Sequence, residues 1–253
     1  MCPTKELTAR IILSDIEGTT TSISFVKDKL FPYAKSHSKG YLEQTWISKE
    51  TSEIVQDLLE LPEFEAYSNE NPHLGEESFG ISTVSDFVNY LIDKDLKLGP
   101  LKRLQGLVWE KGYNCGDIKG HVYSDVPAAF KRWKESGLRL AIYSSGSIKA
   151  QQLLFGQSDF GDLLPYINGH FDTTSGHKQE TQSYTNITKD LGEDPADILF
   201  LTDVIKEAEA ARQAGLQTVI LSRPGNAPLT DDDKSQFTIV EDFEKLNVKL
   251  KQK

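Results

Sequence analysis

Four short apolar runs rich in β-branched residues constrain the fold of this chain more than any other feature. They lie at residues 10–14, 138–143, 198–202 and 217–221. Such runs are typical of strands that are buried on both faces of a parallel sheet. Weaker runs at 166–171 and 237–240 predict two further strands, the second of them at an edge of the sheet.

Helical patterns connect most of these runs. They lie at residues 127–136, 148–155, 182–191 and 205–214. Gly137 and Gly215 follow the first and the last of them, where glycine commonly closes a helix. The alternation of strand and helix predicts an α/β fold with a doubly wound, Rossmann-like parallel sheet.

The region between the first strand and residue 119 breaks this rhythm. A crossover needs only about a dozen residues, yet this much longer segment contains no convincing strand. Helical patterns occur at residues 25–46, 49–61, 84–96 and 101–111. Residues 63–78 carry five acids and no lysine or arginine, which predicts a solvated loop. We therefore expect a core of residues 1–20 and 119–253, with a helical cap of residues 21–118 inserted after the first strand.

Composition excludes several classes of protein. The net charge of -10 argues against a nucleic-acid binder, because such proteins normally present a basic face. Cys2 and Cys115 are the only cysteines, which predicts neither a disulfide framework nor a zinc site. No apolar run approaches the roughly 20 residues of a membrane span, and the polar first residues predict no signal peptide. We expect a cytosolic protein that does not bind membranes.

Polar residues follow the predicted strands at the edge where an open parallel sheet binds its ligands. The first strand is followed by Asp15, Glu17, Gly18 and three threonines. The ends of three other strands supply hydroxyl, ammonium and carboxylate groups, namely Ser144, Ser145, Lys178, Asp203 and Glu207. If the sheet is wound as predicted, these groups converge on one site.

The residue types at these strand ends suit phosphoryl transfer. The Asp15 carboxylate can attack phosphorus, and together with Asp203 it offers the hard oxygen ligands that Mg²⁺ prefers. Residues 144–146 precede a helix, where hydroxyl and N–H groups bind phosphate oxygens. Lys178 can neutralise charge on the nucleophile and on the phosphate. Glu17 can protonate the leaving oxygen and then activate water.

Each of these residues, taken singly, is also compatible with a purely structural role. Acids and serines at strand ends are often turn formers or helix caps, and a single lysine is usually a surface residue. Their joint occurrence in this order favours a common site. A dehalogenase would not need Asp203 with a metal ion. A phospho-accepting receiver would be much shorter and lack the insert, and the intact Asp15 argues against a non-enzymatic scaffold.

These motifs resemble those of the haloacid dehalogenase-like phosphohydrolase superfamily. The resemblance lies in residues 15–19, Ser144, Lys178 and Asp203. One departure is Glu17, since most phosphatases of that superfamily have aspartate there. Asp203 also has no neighbouring aspartate, and for this reason Glu207 is a candidate for the outer shell of the metal site.

Several longer stretches resemble the enolase-phosphatases, also called acireductone synthases, within that superfamily. They are residues 15–21, 25–26, 30–33, 143–147 and 171–178. The similarity extends over about residues 11–221. It implies a Mg²⁺-dependent, bifunctional enzyme of methionine salvage. Such an enzyme enolises a phosphorylated diketone, 2,3-diketo-5-methylthiopentyl 1-phosphate, and then dephosphorylates it to the acireductone.

The resemblance also implies roles for individual residues. Asp15, Glu17 and Asp203 would form the metal site, with Glu17 contributing its backbone carbonyl. Ser144, Ser145 and Lys178 would bind substrate, and Asp15, Glu17 and Lys178 would be catalytic. The family is described as monomeric, cytoplasmic and nuclear. The remaining alternative is a phosphatase of the same superfamily that acts on another small phosphate ester.

Overall fold

The computed structural model describes residues 7–71 and 80–252 of the chain. It divides into two compact units. The first, which we call the core unit, contains the described residues up to Val26 and from Lys119 onward. The second, the helical unit, runs from Lys27 to Ile118.

The core unit is built on a six-stranded sheet in which every strand is parallel to its neighbours. The strands of the described chain are β1 Leu7–Ala9, β2 Ile11–Ser14, β3 Arg139–Tyr143, β4 Gly169–Phe171, β5 Ile198–Thr202, β6 Gln217–Leu221, β7 Thr238–Val240 and β8 Val248–Leu250. The order in the main sheet is β4-β3-β2-β5-β6-β7, with β7 at an edge. β1 and β8, which the sequence patterns did not predict, form a separate parallel pair.

Eleven α-helices occur in the described residues. They are α1 Ile23–Phe25, α2 Phe31–Thr45, α3 Lys49–Leu59, α4 Pro62–Glu70, α5 Ile81–Asp93, α6 Gly99–Cys115, α7 Val126–Glu135, α8 Ile148–Gly156, α9 Thr181–Leu191, α10 Ile205–Gln213 and α11 Asp231–Gln236. The core unit thus alternates strands with helices, which confirms the predicted Rossmann-like α/β fold. No helix of the described chain has both the length and the apolarity needed to cross a membrane.

Both faces of the central strand β2 are covered by helices, which explains its unbroken apolar run. Ile12 packs in a cluster with Phe130 and Trp133 of α7. Ile11 and Leu13 point the other way, into a cluster that contains Tyr184 of α9. Burial of each large side chain contributes about 1.5–3 kcal/mol, so the two clusters hold the strand firmly between its helices.

The strand order contains one topological switch point. From β2 the chain proceeds through β3 and β4 toward one edge, then returns to β5 on the other side of β2 and continues to β7. Ser14 is in register with Ile142 of β3 and with Leu201 of β5. The carboxyl ends of β2 and β5 are therefore adjacent at the crevice where such sheets bind ligands.

In its described residues the helical unit contains α2 to α6 and no strand, and it differs from the sequence prediction in two places. Val26–Leu30 forms a π-helical turn before α2, where a continuous helix over 25–46 was expected. The prediction of a loop at 63–78 is wrong over its first half, because α4 spans Pro62–Glu70. Proline in the first turn and acids near the helix N-terminus both favour a helix. The part of the predicted loop at 72–78 lies outside the described residues.

The apolar side of α4 explains why this acidic segment is helical. Phe64 and Tyr67 are buried, and their rings lie 5.0 and 5.2 Å from the ring centroid of Phe87 on α5. The prediction of a loop, which was based on the five acids, overlooked this aromatic pair at helical spacing. The helical unit has its own hydrophobic core, which also includes Leu42 of α2 and Leu104 of α6.

Candidate active site

Asp15 is fixed by the backbone at the end of β2. Its N–H donates to the Leu201 carbonyl at 2.8 Å, so the ladder with β5 continues to this residue. Its side chain is buried, and Oδ1 accepts a hydrogen bond of 2.7 Å from the Ile16 N–H. The carboxylate therefore has a defined orientation at the switch point.

Lys178 connects Asp15 with Glu207. Its Nζ lies 2.7 Å from Asp15 Oδ1 and 2.7 Å from Glu207 Oε2, and all three side chains are buried. Burial alone would lower the pKa of Lys178, but the two carboxylates outweigh it and raise that pKa above its ordinary value. The side chain is therefore an ammonium group that partly neutralises Asp15. Glu207 also accepts a hydrogen bond of 2.8 Å from Thr202 Oγ1.

The loop that carries Lys178 is anchored by tyrosines of the core. Tyr184 Oη donates to the Lys178 carbonyl at 2.6 Å, and Tyr143 Oη donates to the Gly176 carbonyl at 3.0 Å. Both tyrosine rings are buried between the sheet and α9. This support was not predicted from the sequence, because the patterns place these tyrosines only in a strand and a helix.

Asp203 follows β5 and lies against the backbone of Gly18. A Cβ atom at Gly18 would be only 2.4 Å from Asp203 Oδ2, so the missing side chain makes room for the carboxylate. Burial, and after it the charge of Asp15, raise the pKa of Asp203 to about 7. The same two causes raise the pKa of Glu207 against the opposing effect of Lys178. The structure thus brings Asp15, Asp203, Lys178 and Glu207 together.

The remaining predicted residues follow the carboxyl ends of strands of the same sheet. Ser144 directly follows β3 and is buried, and its Oγ accepts a hydrogen bond of 3.2 Å from the Gly146 N–H. Ser145 and Glu17 are half-buried. Ser147 caps α8 by accepting from the Ala150 N–H at 3.3 Å.

Gly18 is expected to be intolerant of even one extra carbon. Its φ is +71°, a conformation that costs an L-residue roughly 1–2 kcal/mol, and the added Cβ would displace Asp203. We expect Gly18→Ala to lower the free energy of unfolding by more than this strain and to abolish catalytic turnover, as measured by denaturation and by phosphate release.

Gly192→Ala is the matched control. Gly192 has a φ of +67° at the end of α9, and its Cβ position has no neighbour within 4 Å. This variant should show the strain alone and keep its activity. Equal losses of stability and activity in both variants would contradict the role given to the contact between Gly18 and Asp203.

The fold and the site together define a class of protein. A carboxylate paired with lysine lies at the switch point of a Rossmann-like sheet, and a second, half-buried carboxylate follows the adjacent strand. The chain belongs to the haloacid dehalogenase-like hydrolase family, whose family model matches residues 9–215. It is an enzyme of the hydrolase class.

Individual relatives extend over almost the whole chain. The chain is 57% identical over 239 residues to "Enolase-phosphatase E1" of Drosophila willistoni, covering 94% of this chain and 97% of that protein. It is 54% identical over 246 residues to "Enolase-phosphatase E1" of Drosophila pseudoobscura pseudoobscura, with 97% of each chain covered. The crystal structure of UTR4 protein from Saccharomyces cerevisiae superposes with a TM-score of 0.77 at 38% identity, covering 94% of this chain and all of that one.

Enzymes of this family generally use a divalent metal ion, and the residues of the site fit one. The buried carboxylates of Asp15 and Glu207 and the half-buried carboxylate of Asp203 lie around the ammonium group of Lys178. Burial, and after it the negative charge of Asp15, raise the pKa of Asp203, and a divalent cation would offset that negative charge. Among the described residues, no three His, Cys, Asp or Glu side chains are arranged as a metal cage.

Two residues outside the predicted set contact the turn after Asp15. Arg223 and Asn226 lie in the loop that follows β6 and donate hydrogen bonds to the backbone of Thr19 and Gly18. A signal for them was present, since residues 222–226 follow a buried strand at the same edge of the sheet as the other site residues. Extending the strand-end rule from four strands to β6 would have found them.

Proposed function

We propose that the protein converts 2,3-diketo-5-methylthiopentyl 1-phosphate to the acireductone 1,2-dihydroxy-3-keto-5-methylthiopentene and phosphate in methionine salvage. The observation that carries this proposal is the assembly of the buried Asp15, Lys178 and Glu207 with the half-buried Asp203 at the switch point. The identity of 54–57% over nearly the whole chain to proteins named "Enolase-phosphatase E1" supports the choice of substrate.

We propose Asp15 as the nucleophile of the phosphatase half-reaction. One carboxylate oxygen forms a bond to phosphorus while the bond from phosphorus to the ester oxygen breaks. Glu17 delivers a proton to the departing oxygen and then takes one from the water that hydrolyses the aspartyl phosphate. Lys178, together with Ser144 and Ser145, binds the phosphoryl oxygens and stabilises their charge.

Mg²⁺ is the proposed metal ion, held by the carboxylates of Asp15 and Asp203 and by the Glu17 carbonyl. When bound, it would supply Lewis-acid stabilisation of phosphoryl and enolate oxygens.

In the enolase half-reaction a base removes a proton from the carbon that carries the phosphate ester, and the neighbouring carbonyl oxygen becomes the enol hydroxyl. The residues of the site then bind the enol phosphate for the transfer described above.

The test is turnover of the diketo phosphate under anaerobic conditions with two readouts. Ultraviolet absorbance follows the enediol, and a phosphate assay follows phosphoryl transfer. We expect both products in equal amounts with Mg²⁺ and neither after chelation of divalent metal. Phosphate without enediol would show a phosphatase without enolase activity and would contradict the proposed reaction, and turnover unaffected by chelation would contradict the metal site.

A further inference from the structure

We propose that Arg223 and Asn226 are positioning residues that set the spacing of the metal ligands by holding the backbone of Gly18 and Thr19. The inference rests on the metal site of the proposed function. Both residues belong to the loop of residues 222–226, which follows β6 and takes no part in the chemistry described above.

Asn226 joins this loop to the turn that follows Asp15. Its Nδ2 donates to the Gly18 carbonyl at 2.9 Å and to the Leu221 carbonyl at 3.1 Å, and the side chain is half-buried. Leu221 is the last residue of β6, so this amide links the turn directly to a strand of the sheet. The contact spans 208 positions of sequence, so it depends on the tertiary fold.

Arg223 presents a second donor to the same turn. Its Nε donates to the Thr19 carbonyl at 3.1 Å, while Nη1 and Nη2 bind the two carboxylate oxygens of Asp125 at 2.9 and 2.8 Å. The guanidinium carbon lies 4.3 Å from the ring centroid of Tyr123 and 5.0 Å from that of Phe243. The bidentate ion pair and the contacts with two aromatic rings fix the plane of the guanidinium group, which makes Nε a rigid donor.

The hydrogen bonds within the turn after Asp15 use the N–H groups of its residues, whereas Asn226 and Arg223 bind two of its carbonyl groups. The N–H groups of residues 19–21 all donate to the Ile16 carbonyl, at 3.2, 2.9 and 2.9 Å. The carbonyls of Gly18 and Thr19 accept hydrogen bonds from Asn226 and Arg223 of the loop after β6. The loop after β6 thus restrains the two carbonyl groups of the turn at Gly18 and Thr19.

The position of Gly18 affects two of the proposed metal ligands. Its Cα packs against the Asp203 carboxylate, and its N atom forms the peptide bond that carries the Glu17 carbonyl. Mg²⁺ accepts only near-ideal octahedral geometry with distances of about 2.0–2.1 Å, so a small displacement of Gly18 weakens binding. Loss of groups that orient metal ligands typically lowers metal affinity by about 10–100-fold.

The test measures metal binding by the full-length, metal-free protein without any turnover. Mn²⁺ serves as the probe and is titrated with detection of the free ion by electron paramagnetic resonance. We expect Asn226→Ala to raise the Mn²⁺ dissociation constant by about tenfold or more. We also expect faster hydrogen exchange in the peptide that contains residues 16–21.

Gln217→Ala is the matched control for loss of a bridging amide. Gln217 Nε2 donates to the carbonyls of Thr8 and Ala196 at 2.7 and 2.8 Å, the same kind of bridge at the opposite end of β6. We expect this variant to lose comparable stability and to bind Mn²⁺ as the wild type does. An equal loss of affinity in both variants would show a general structural effect and overturn the inference.

Arg223→Lys provides a second variant if Asn226→Ala fails to fold. Lysine keeps a cation beside Asp125 but removes the Nε donor to Thr19, so we again expect weaker Mn²⁺ binding. Wild-type affinity in a folded Asn226→Ala or Arg223→Lys variant would refute the positioning role alone. Absence of Mn²⁺ binding by the wild-type protein would instead refute the proposed metal site, and with it this inference.

Discussion

Replacing Asp15 by asparagine is expected to reduce phosphate release by at least about 10³-fold, the scale of loss when a nucleophile is removed. An amide oxygen is a poor nucleophile. The substitution also leaves Lys178 without one of its two carboxylate partners. The side chain keeps its size, so the fold should persist. Initial rates of phosphate release with Mg²⁺ and the diketo phosphate provide the measurement, and circular dichroism verifies folding.

Glu193→Gln is the control for loss of a paired carboxylate. Glu193 lies before β5, at the opposite end of the sheet, and forms ion pairs of 3.0 Å with Arg10 and Arg139. We expect this variant to keep wild-type turnover. Substantial activity in Asp15→Asn would contradict nucleophilic catalysis by Asp15. A comparable loss of turnover in Glu193→Gln would show that neutralising any paired carboxylate of the core unit is enough to lower activity.

Replacing Lys178 by methionine is expected to damage both stability and catalysis. Asp15 and Glu207 would remain buried without their shared cation, and removing one partner of a buried pair costs about 3–5 kcal/mol. We expect the free energy of unfolding to fall by that amount in denaturant titrations of the metal-free protein. Phosphate release should fall by at least about 10²-fold, because the phosphoryl charge loses its ammonium partner.

A double variant separates these two effects. In Lys178→Met/Glu207→Gln one of the unpaired carboxylates becomes neutral, while the amide oxygen can still accept the hydrogen bond from Thr202. We expect recovery of part of the lost stability and no recovery of turnover. Residues in direct contact are expected to show such non-additivity. Turnover that recovers together with stability would mean that Lys178 has only a structural role.

The sheet was predictable because burial on both faces removes polar alternation from its strands. β5 and β6 were predicted with their observed bounds, and β2 and β3 each differ by one residue at the start. β1 and β8 escaped prediction because each has three residues and pairs with a strand more than 200 positions away. Short strands formed by distant pairing leave little local pattern to read.

The prediction of a loop at residues 63–78 failed for a different reason. The acids of this segment suggest solvation, although Pro62 at the helix start and the pair Phe64 and Tyr67 indicate an amphipathic helix. The loop was predicted from the number of acids, and the helical spacing of the aromatic residues was not considered. Acids on the exposed side of a short helix are compatible with burial of its aromatic side.

For the site, the sequence predicted which residues converge and that Lys178 neutralises Asp15, but not the ion pair of Lys178 with Glu207. Asp15, Lys178 and Asp203 follow strands, and the rule for parallel sheets was enough to bring them together. Glu207 was predicted for the outer shell of the metal site, which stays a prediction; its contacts with Lys178 and Thr202 were not predicted. Such pairing depends on side-chain conformations across separate loops, which spacing along one chain does not encode.

The central claim, covalent catalysis by Asp15, is tested most directly by trapping the aspartyl phosphate. Rapid quenching of the enzyme during turnover with Mg²⁺, followed by borohydride reduction, converts an aspartyl phosphate to homoserine, which mass spectrometry locates in the peptide. We predict homoserine at position 15, and none after chelation of metal or in Asp15→Asn. Rapid phosphate release with unmodified Asp15 at every quench time, or with homoserine at another aspartate, would contradict this mechanism.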